Sequence, residues 1–213
     1  MKRENIWDFW AARYENLWVQ EHSLKPTRKL VVGEITGLLE KTVAGPVRLL
    51  DIGCGTGQLL EELASLYLRE KLELTGIDGS RKMIEIAQKK KISGISFLTG
   101  DVHNLPFSEH SFQFITCCHS FPYYRDQAGA LKEMARILKP GGSLLLIQAA
   151  ENSFYDKLIM KMVKCTTGKA VYPSDTAVRA LVKRSGLVLE AQKKLAVASF
   201  MPSIVLSIAY KGS

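Results

Sequence analysis

Asp51 is followed by Gly53, Gly55 and Gly57 in the stretch VRLLDIGCGTG, residues 47–57. Glycines spaced two apart let the backbone turn sharply and approach a ligand that a Cβ would block. Two further acids close apolar runs: Asp78 ends LELTGID, 27 residues after Asp51, and Asp101 ends ISFLTGD. A carboxylate at the end of a second strand can accept hydrogen bonds from both ribose hydroxyls. One at the end of a third can accept from an exocyclic amino group such as that of adenine. The dinucleotide pattern G-x-G-x-x-G would need glycine at 58, where the chain has Gln58, so a nicotinamide cofactor is disfavoured. His119, in HSFPYY at the edge of a fourth apolar run, is placed to act as a general base with a pKa near the ordinary ~6.5.

These residues need a scaffold of alternating strands and helices. Val47, Leu49, Leu50 and Ile52 read as a buried parallel strand, and Leu59, Leu60, Leu63, Leu66 and Tyr67 as one face of the helix after the loop. Ser80 is placed to cap a helix whose inward face is Met83, Ile84 and Ala87. Phe112, Phe114 and Ile115 begin the fourth strand, Ala128–Leu138 form a helix ended by Pro140-Gly141-Gly142, and SLLLIQAA is the fifth strand. Residues 187–196 and 200–210 are close enough to pair as an antiparallel hairpin. Such alternation implies right-handed crossovers and a parallel sheet covered on both sides.

The motifs LLDIGCGTGQ (49–58), GIDGSRKMIEIAQ (76–88), GDVHNLPFSEHSFQFI (100–115) and MARILKPGGSLLLI (134–147) span about half the chain. In that order they resemble the class I S-adenosylmethionine (SAM)-dependent methyltransferases, within them the ubiquinone and menaquinone biosynthesis group. The resemblance implies a Rossmann-like, seven-stranded, mostly parallel α/β sheet of order 3-2-1-4-5-7-6, its last strand antiparallel, with helices on both faces. It implies one domain over 1–213: a helical lid region at 1–45, a cofactor-binding core at 46–149, and a substrate-side insert and C-terminal hairpin at 150–213. SAM would then meet Asp51, Gly53, Cys54, Gly55 and Gly57 at its methionine end. Asp78 and Gly79 would hold the ribose, Met83 would pack on the adenine, and Asp101 with Val102 would bind its edge. S-adenosylhomocysteine would be the product of transfer to a small-molecule acceptor, with His119 as the candidate catalytic residue and no metal.

Composition sets the remaining expectations. All three tryptophans fall within residues 1–18, and Trp7, Trp10, Ala11, Tyr14, Leu17 and Trp18 share one helical face, as expected of a helix packed on the domain or closing over the cleft. The net charge is +8, and residues 149–213 hold ten basic and four acidic groups. Within that segment Lys157, Lys161 and Lys164 are expected on one helical face, opposite Leu158, Ile159, Met162 and Val163, where they would attract an anionic acceptor or an anionic membrane surface. Lys89, Lys90 and Lys91 suit a helix C-terminus. The methyltransferase motif that reads nucleobases is absent after the fourth strand, and the basic charge has no interleaved aromatics, which argues against nucleic acid. Cys54, Cys117, Cys118 and Cys165 lack metal-ligand spacing and read as reduced core thiols. With no apolar leader and no stretch long enough to span a bilayer, a soluble, cytoplasmic protein is expected. A non-catalytic methyltransferase-like module and a nicotinamide-dependent oxidoreductase are the competing functional classes. Acceptor atom and oligomeric state have no signature in the sequence.

Overall fold

The structure, a computed structural model, describes residues 6–41, 46–66, 72–195 and 201–212. Seven strands, β1 (Val47–Ile52), β2 (Leu72–Asp78), β3 (Ile95–Thr99), β4 (Phe112–Cys118), β5 (Leu138–Ala149), β6 (Leu187–Leu195) and β7 (Ile204–Lys211), form one sheet of order β3-β2-β1-β4-β5-β7-β6. The first five are parallel and β7 is antiparallel to both neighbours, as expected. One face packs on helices α2 (Lys25–Glu40), α3 (Gln58–Ser65) and α4 (Arg81–Lys89), through Val31, Ile35, Leu60, Leu63 and Ile84. The other packs on α5 (Gln127–Ile137) and α7 (Asp175–Arg184), through Leu131, Met134, Val178 and Val182. All strand ends that carry the candidate residues therefore open to the same edge, where doubly wound sheets bind ligands.

Several elements depart from expectation. The N-terminal face is no continuous helix: α1 (Ile6–Trp10) passes into a 3-10 segment, Ala11–Asn16, and a π segment, Gln20–Leu24, precedes α2. Trp18 is consequently exposed. Leu66 is also exposed, because α3 stops at Ser65, and Tyr67 lies outside the described residues. Leu138 already pairs with Phe112, so β5 starts before Pro140 and not after Gly142; the next pair is Phe114 with Ser143, and Lys139–Gly142 bulge out between them. The hairpin is shorter than expected, β7 beginning at Ile204, while Ala196 and Phe200 lie outside the described residues.

The helix α6 (Phe154–Thr167) follows β5 and is oriented differently from expectation. Asp156 and Met160 are buried, with Ile159 and Val163 partly so, while Leu158 and Met162 face outward beside Lys157 and Lys161. Lys164 turns the other way, to Glu151 at 2.8 Å and over the Tyr172 ring at 5.5 Å. A capping box between Ser153 and Asp156, whose carboxylate also accepts from Ser203, fixes that rotation. Cys165 is exposed, not a core thiol.

Candidate functional site

The glycine loop is pinned to β2. Gly53 and Cys54 donate their N–H groups to the Ile77 carbonyl at 2.8 and 3.1 Å. Gly53, Gly55 and Gly57 all have positive φ, 71°, 54° and 80°. A Cβ on Gly57 would sit 2.6 Å from the Phe97 ring, and one on Gly53 would collide with Ser120. These two glycines shape the loop. Gly55 differs: a Cβ there would meet only Tyr14, at 3.7 Å, so its outer face is the open cradle.

Asp78 ties this loop to the next. Its Oδ2 accepts from Gly55 N at 2.9 Å and its Oδ1 from Ser80 N at 2.7 Å, and Ser80 caps α4 by accepting from Met83 N. Burial pushes the Asp78 carboxyl above its ordinary value, against the two backbone donors that favour its charge. Asp51 is 2 % exposed, accepts from the Thr116 hydroxyl at 2.7 Å, and is pushed up to about 7, chiefly by desolvation and further by the charge of Asp78. Met83, Cys54 and Val102 are buried beside these carboxylates' strands, and Gly79 is exposed. Asp101 is held below the usual carboxylate range, first by the His103 backbone N–H at 3.0 Å and also by the His103 ring at 2.7 Å.

His119 sits one residue beyond β4 with φ 59°, a backbone conformation rarely adopted by residues with a Cβ. Its N–H donates to the Ile147 carbonyl at 2.7 Å. The ring Nε2 lies 3.0 Å from Thr27 Oγ1, and that hydroxyl donates its own proton to the Leu24 carbonyl at 2.7 Å. Nε2 must therefore carry the proton, which leaves the lone pair on Nδ1. Desolvation, with Arg28 adding to it, lowers the imidazole to about 4 in place of the ordinary ~6.5 expected from sequence. His119 is thus neutral from about pH 5 upward. Its turnover signature follows: with SAM saturating at every pH, kcat should stay flat from pH 5 to 8 and fall only near 4. An inflection near 6.5 that disappears in His119→Gln would show that the ring is not desolvated during turnover.

Two contributors carried no signal in the sequence. Arg28, from α2, donates to Glu62 at 2.7 Å and to Gln20 and Gln58, and lines a cavity of about 40 Å3 with Tyr14, Asp51, Gly53 and His119. Its position depends on how α2 folds back across the sheet. His103 is the second. Gln148, in β5, is 2 % exposed and neither amide atom has a hydrogen-bond partner among the described residues, but it alternates with Leu144 and Leu146 and so lies toward the α5 and α7 face, away from Thr27. Leaving such an amide unpaired costs about 1–3 kcal/mol per group.

The residues fit a zwitterionic nucleoside ligand by their chemistry: a glycine cradle open at Gly55, a buried carboxylate and a guanidinium lining one cavity, and acids on two successive strand ends. The cleft is narrow, however. Tyr14 covers Gly55, Asp8 binds Ser80 and Trp7 packs edge-on against Tyr123 at 4.8 Å, so the N-terminal segment fills space that small-molecule sites of roughly 300–1,000 Å3 leave open. Among the described residues there is no cluster suited to a metal, and no helix is long and apolar enough to cross a membrane.

Comparison with known proteins adds to this geometry. Residues 50–146 match the family model described as a methyltransferase domain. A demethylmenaquinone methyltransferase of Thermotoga maritima is 41% identical over 105 residues, 48% of this chain and 44% of the relative. The uncharacterized methyltransferase YcgJ of Bacillus subtilis is 34% identical over 135 residues, 60% of this chain and 52% of the relative. The chain thus spans about half the length of the curated relatives it matches. Among solved structures, a SAM-dependent methyltransferase of Thermotoga maritima superposes with TM-score 0.72 at 24% identity, covering 97% of this chain and 98% of that one. A methyltransferase of Haloferax volcanii, solved in complex with the activator Trm112, gives 0.78 at 20% identity with both chains fully covered. At these identities the likeness is one of fold.

Proposed function

We propose that this chain, whose residues 50–146 match the model of a methyltransferase domain, transfers the methyl group of SAM to a small-molecule acceptor and releases S-adenosylhomocysteine. The observation that carries this reading is the bridge made by Asp78, which holds the open Gly55 cradle to the N-terminus of α4 and so sets a carboxylate between the glycine loop and the second strand end. Bound SAM supplies an activated sulfonium methyl, so the protein's task is positioning, worth roughly 7–11 kcal/mol in well-oriented systems. In this reading Asp51 meets the ammonium group and Arg28 the carboxylate of the amino-acid end. Asp78 and Gly79 hold the ribose, Met83 packs on the base, and Asp101 and Val102 bind its edge. Gly53, Cys54 and Gly57 keep the loop in shape. Nδ1 of His119 is the atom that would take a proton from a protonated nucleophile. The N-terminal segment must move for the cofactor to enter, and on closing it would exclude water.

The relatives named demethylmenaquinone methyltransferase support including hydroquinones in the search. The test is calorimetric titration with SAM, followed by S-adenosylhomocysteine release across phenols, hydroquinones, amines and thiols. One acceptor class should turn over. NADH binding tighter than SAM would overturn the reading, and tight SAM binding without turnover of any acceptor would favour a non-catalytic module.

A further inference from the structure

Placed at 100° per residue, α6 divides into two unlike arcs. Asp156, Ile159, Met160 and Val163 turn inward. Phe154, Leu158 and Met162 lie outward, 83%, 51% and 66% exposed, with Lys157 and Lys161 flanking them on one side and Tyr155 on the other. The chain leaving the helix adds exposed Lys169 and Val171. Soluble surfaces scatter large apolar groups singly, whereas three at i, i+4 and i+8 on one outward arc form a contact surface.

Charge decides the kind of contact. Between Ser153 and Tyr172 the single acid is Asp156, and it is 2 % exposed and committed to the helix cap. The outward arc therefore presents apolar side chains and lysines with no opposing charge. Protein–protein interfaces are depleted in lysine, whereas a helix lying in a bilayer surface buries its apolar side chains among acyl chains and extends lysine ammoniums along their stems to anionic headgroups.

We infer that the outward face of α6, Phe154, Leu158 and Met162 with Lys157 and Lys161, docks the protein on an anionic lipid bilayer. This contact is independent of methyl transfer, because it uses none of the cleft residues. The helix still connects to the covering segment: the inward face of α6 packs against Tyr172, whose hydroxyl bonds that of Tyr123 at 2.9 Å, and the Tyr123 ring meets Trp7.

The experiment is co-sedimentation of the full chain, without SAM or acceptor, with vesicles of phosphatidylglycerol and phosphatidylcholine and with vesicles of phosphatidylcholine alone. Binding is expected to the anionic vesicles and to weaken with salt. Removing two surface lysines should cost about thirty-fold in partitioning, so Lys157→Glu with Lys161→Glu should cost at least that. Phe154→Ser, Leu158→Ser and Met162→Ser together should abolish binding at low and high salt alike. All five side chains are exposed, so circular dichroism and Tm should be unchanged, and a SAM titration of the same variants keeps this outcome separate from that of the methyltransferase reading. Equal binding to neutral and anionic vesicles, or binding that survives both sets of substitutions, would overturn the inference. So would self-association in light scattering that the serine variant removes while no vesicle binds, which would assign the face to a second copy of the chain.

Discussion

Asp78→Ala is expected to weaken SAM binding by about thirty- to thousand-fold, the equivalent of about 2–4 kcal/mol for lost charge-assisted hydrogen bonds. Two losses combine. The carboxylate proposed to face the ribose is gone, and the Gly55 and Ser80 N–H groups it holds at 2.9 and 2.7 Å are released, so the cradle loosens as well. Asp78→Asn separates these effects, since its amide oxygen can still accept one backbone N–H while the charge is lost. It should keep more of the loop and of the Tm than Asp78→Ala but still bind SAM weakly. Calorimetry that finds unchanged affinity for a folded Asp78→Ala protein would remove Asp78 from the cofactor site.

The second large effect is a pH dependence centred on Asp51. With its carboxyl pushed up to about 7, the side chain is largely protonated in weak acid, whereas a bound ammonium and sulfonium favour the charged form. SAM affinity should therefore rise about tenfold per pH unit up to pH 7 and level off above it, with a proton released on binding below 7. Asp51→Asn should remove the slope and bind weakly throughout. The sign for stability is opposite. A carboxyl raised from 3.8 to about 7 on folding keeps its proton longer in the folded chain, so its contribution is fully present below pH 4 and lost as pH climbs through 7. At about 1.36 kcal/mol per pH unit this is of order 4 kcal/mol, so ligand-free Asp51→Asn should melt higher than the parent at pH 8. A lower Tm at pH 8 would contradict the burial argument. His119 works in the other direction: its lowered pKa costs stability as pH falls from about 6.5 to 4, so the two groups offset one another across weak acid.

Where local periodicity decides the structure, the sequence was a good guide. The strand at Val47–Ile52, the cap at Ser80 and the face of Met83, Ile84 and Ala87 depend on neighbours in the chain, and they stand as expected. The order of the sheet followed from resemblance and is the observed one. What was not legible is set by contacts distant in sequence. Arg28 and Thr27 reach the cleft only because α2 crosses the sheet, 92 residues separate Thr27 from the His119 it orients, and Gln148 is conspicuous only once its neighbours are known to leave it unpaired. The face of α6 was misjudged for a related reason: hydrophobicity predicted Leu158 and Met162 inside, but the Asp156 cap and the anchoring of Lys164 to Glu151 turn the helix by a part-turn.

Trp7, Trp10 and Trp18 are the only indoles of the chain, and all belong to the segment that leans over the cleft. Trp7 is held edge-on between Tyr14 and Tyr123, while Trp18 stands exposed. The protein thus carries its own optical gauge: excited at the red edge of its absorption, it emits from the covering segment alone, while the sheet and the carboxylates are dark. Stopped-flow traces of that emission would time the opening and closing of the cleft directly, with no attached dye.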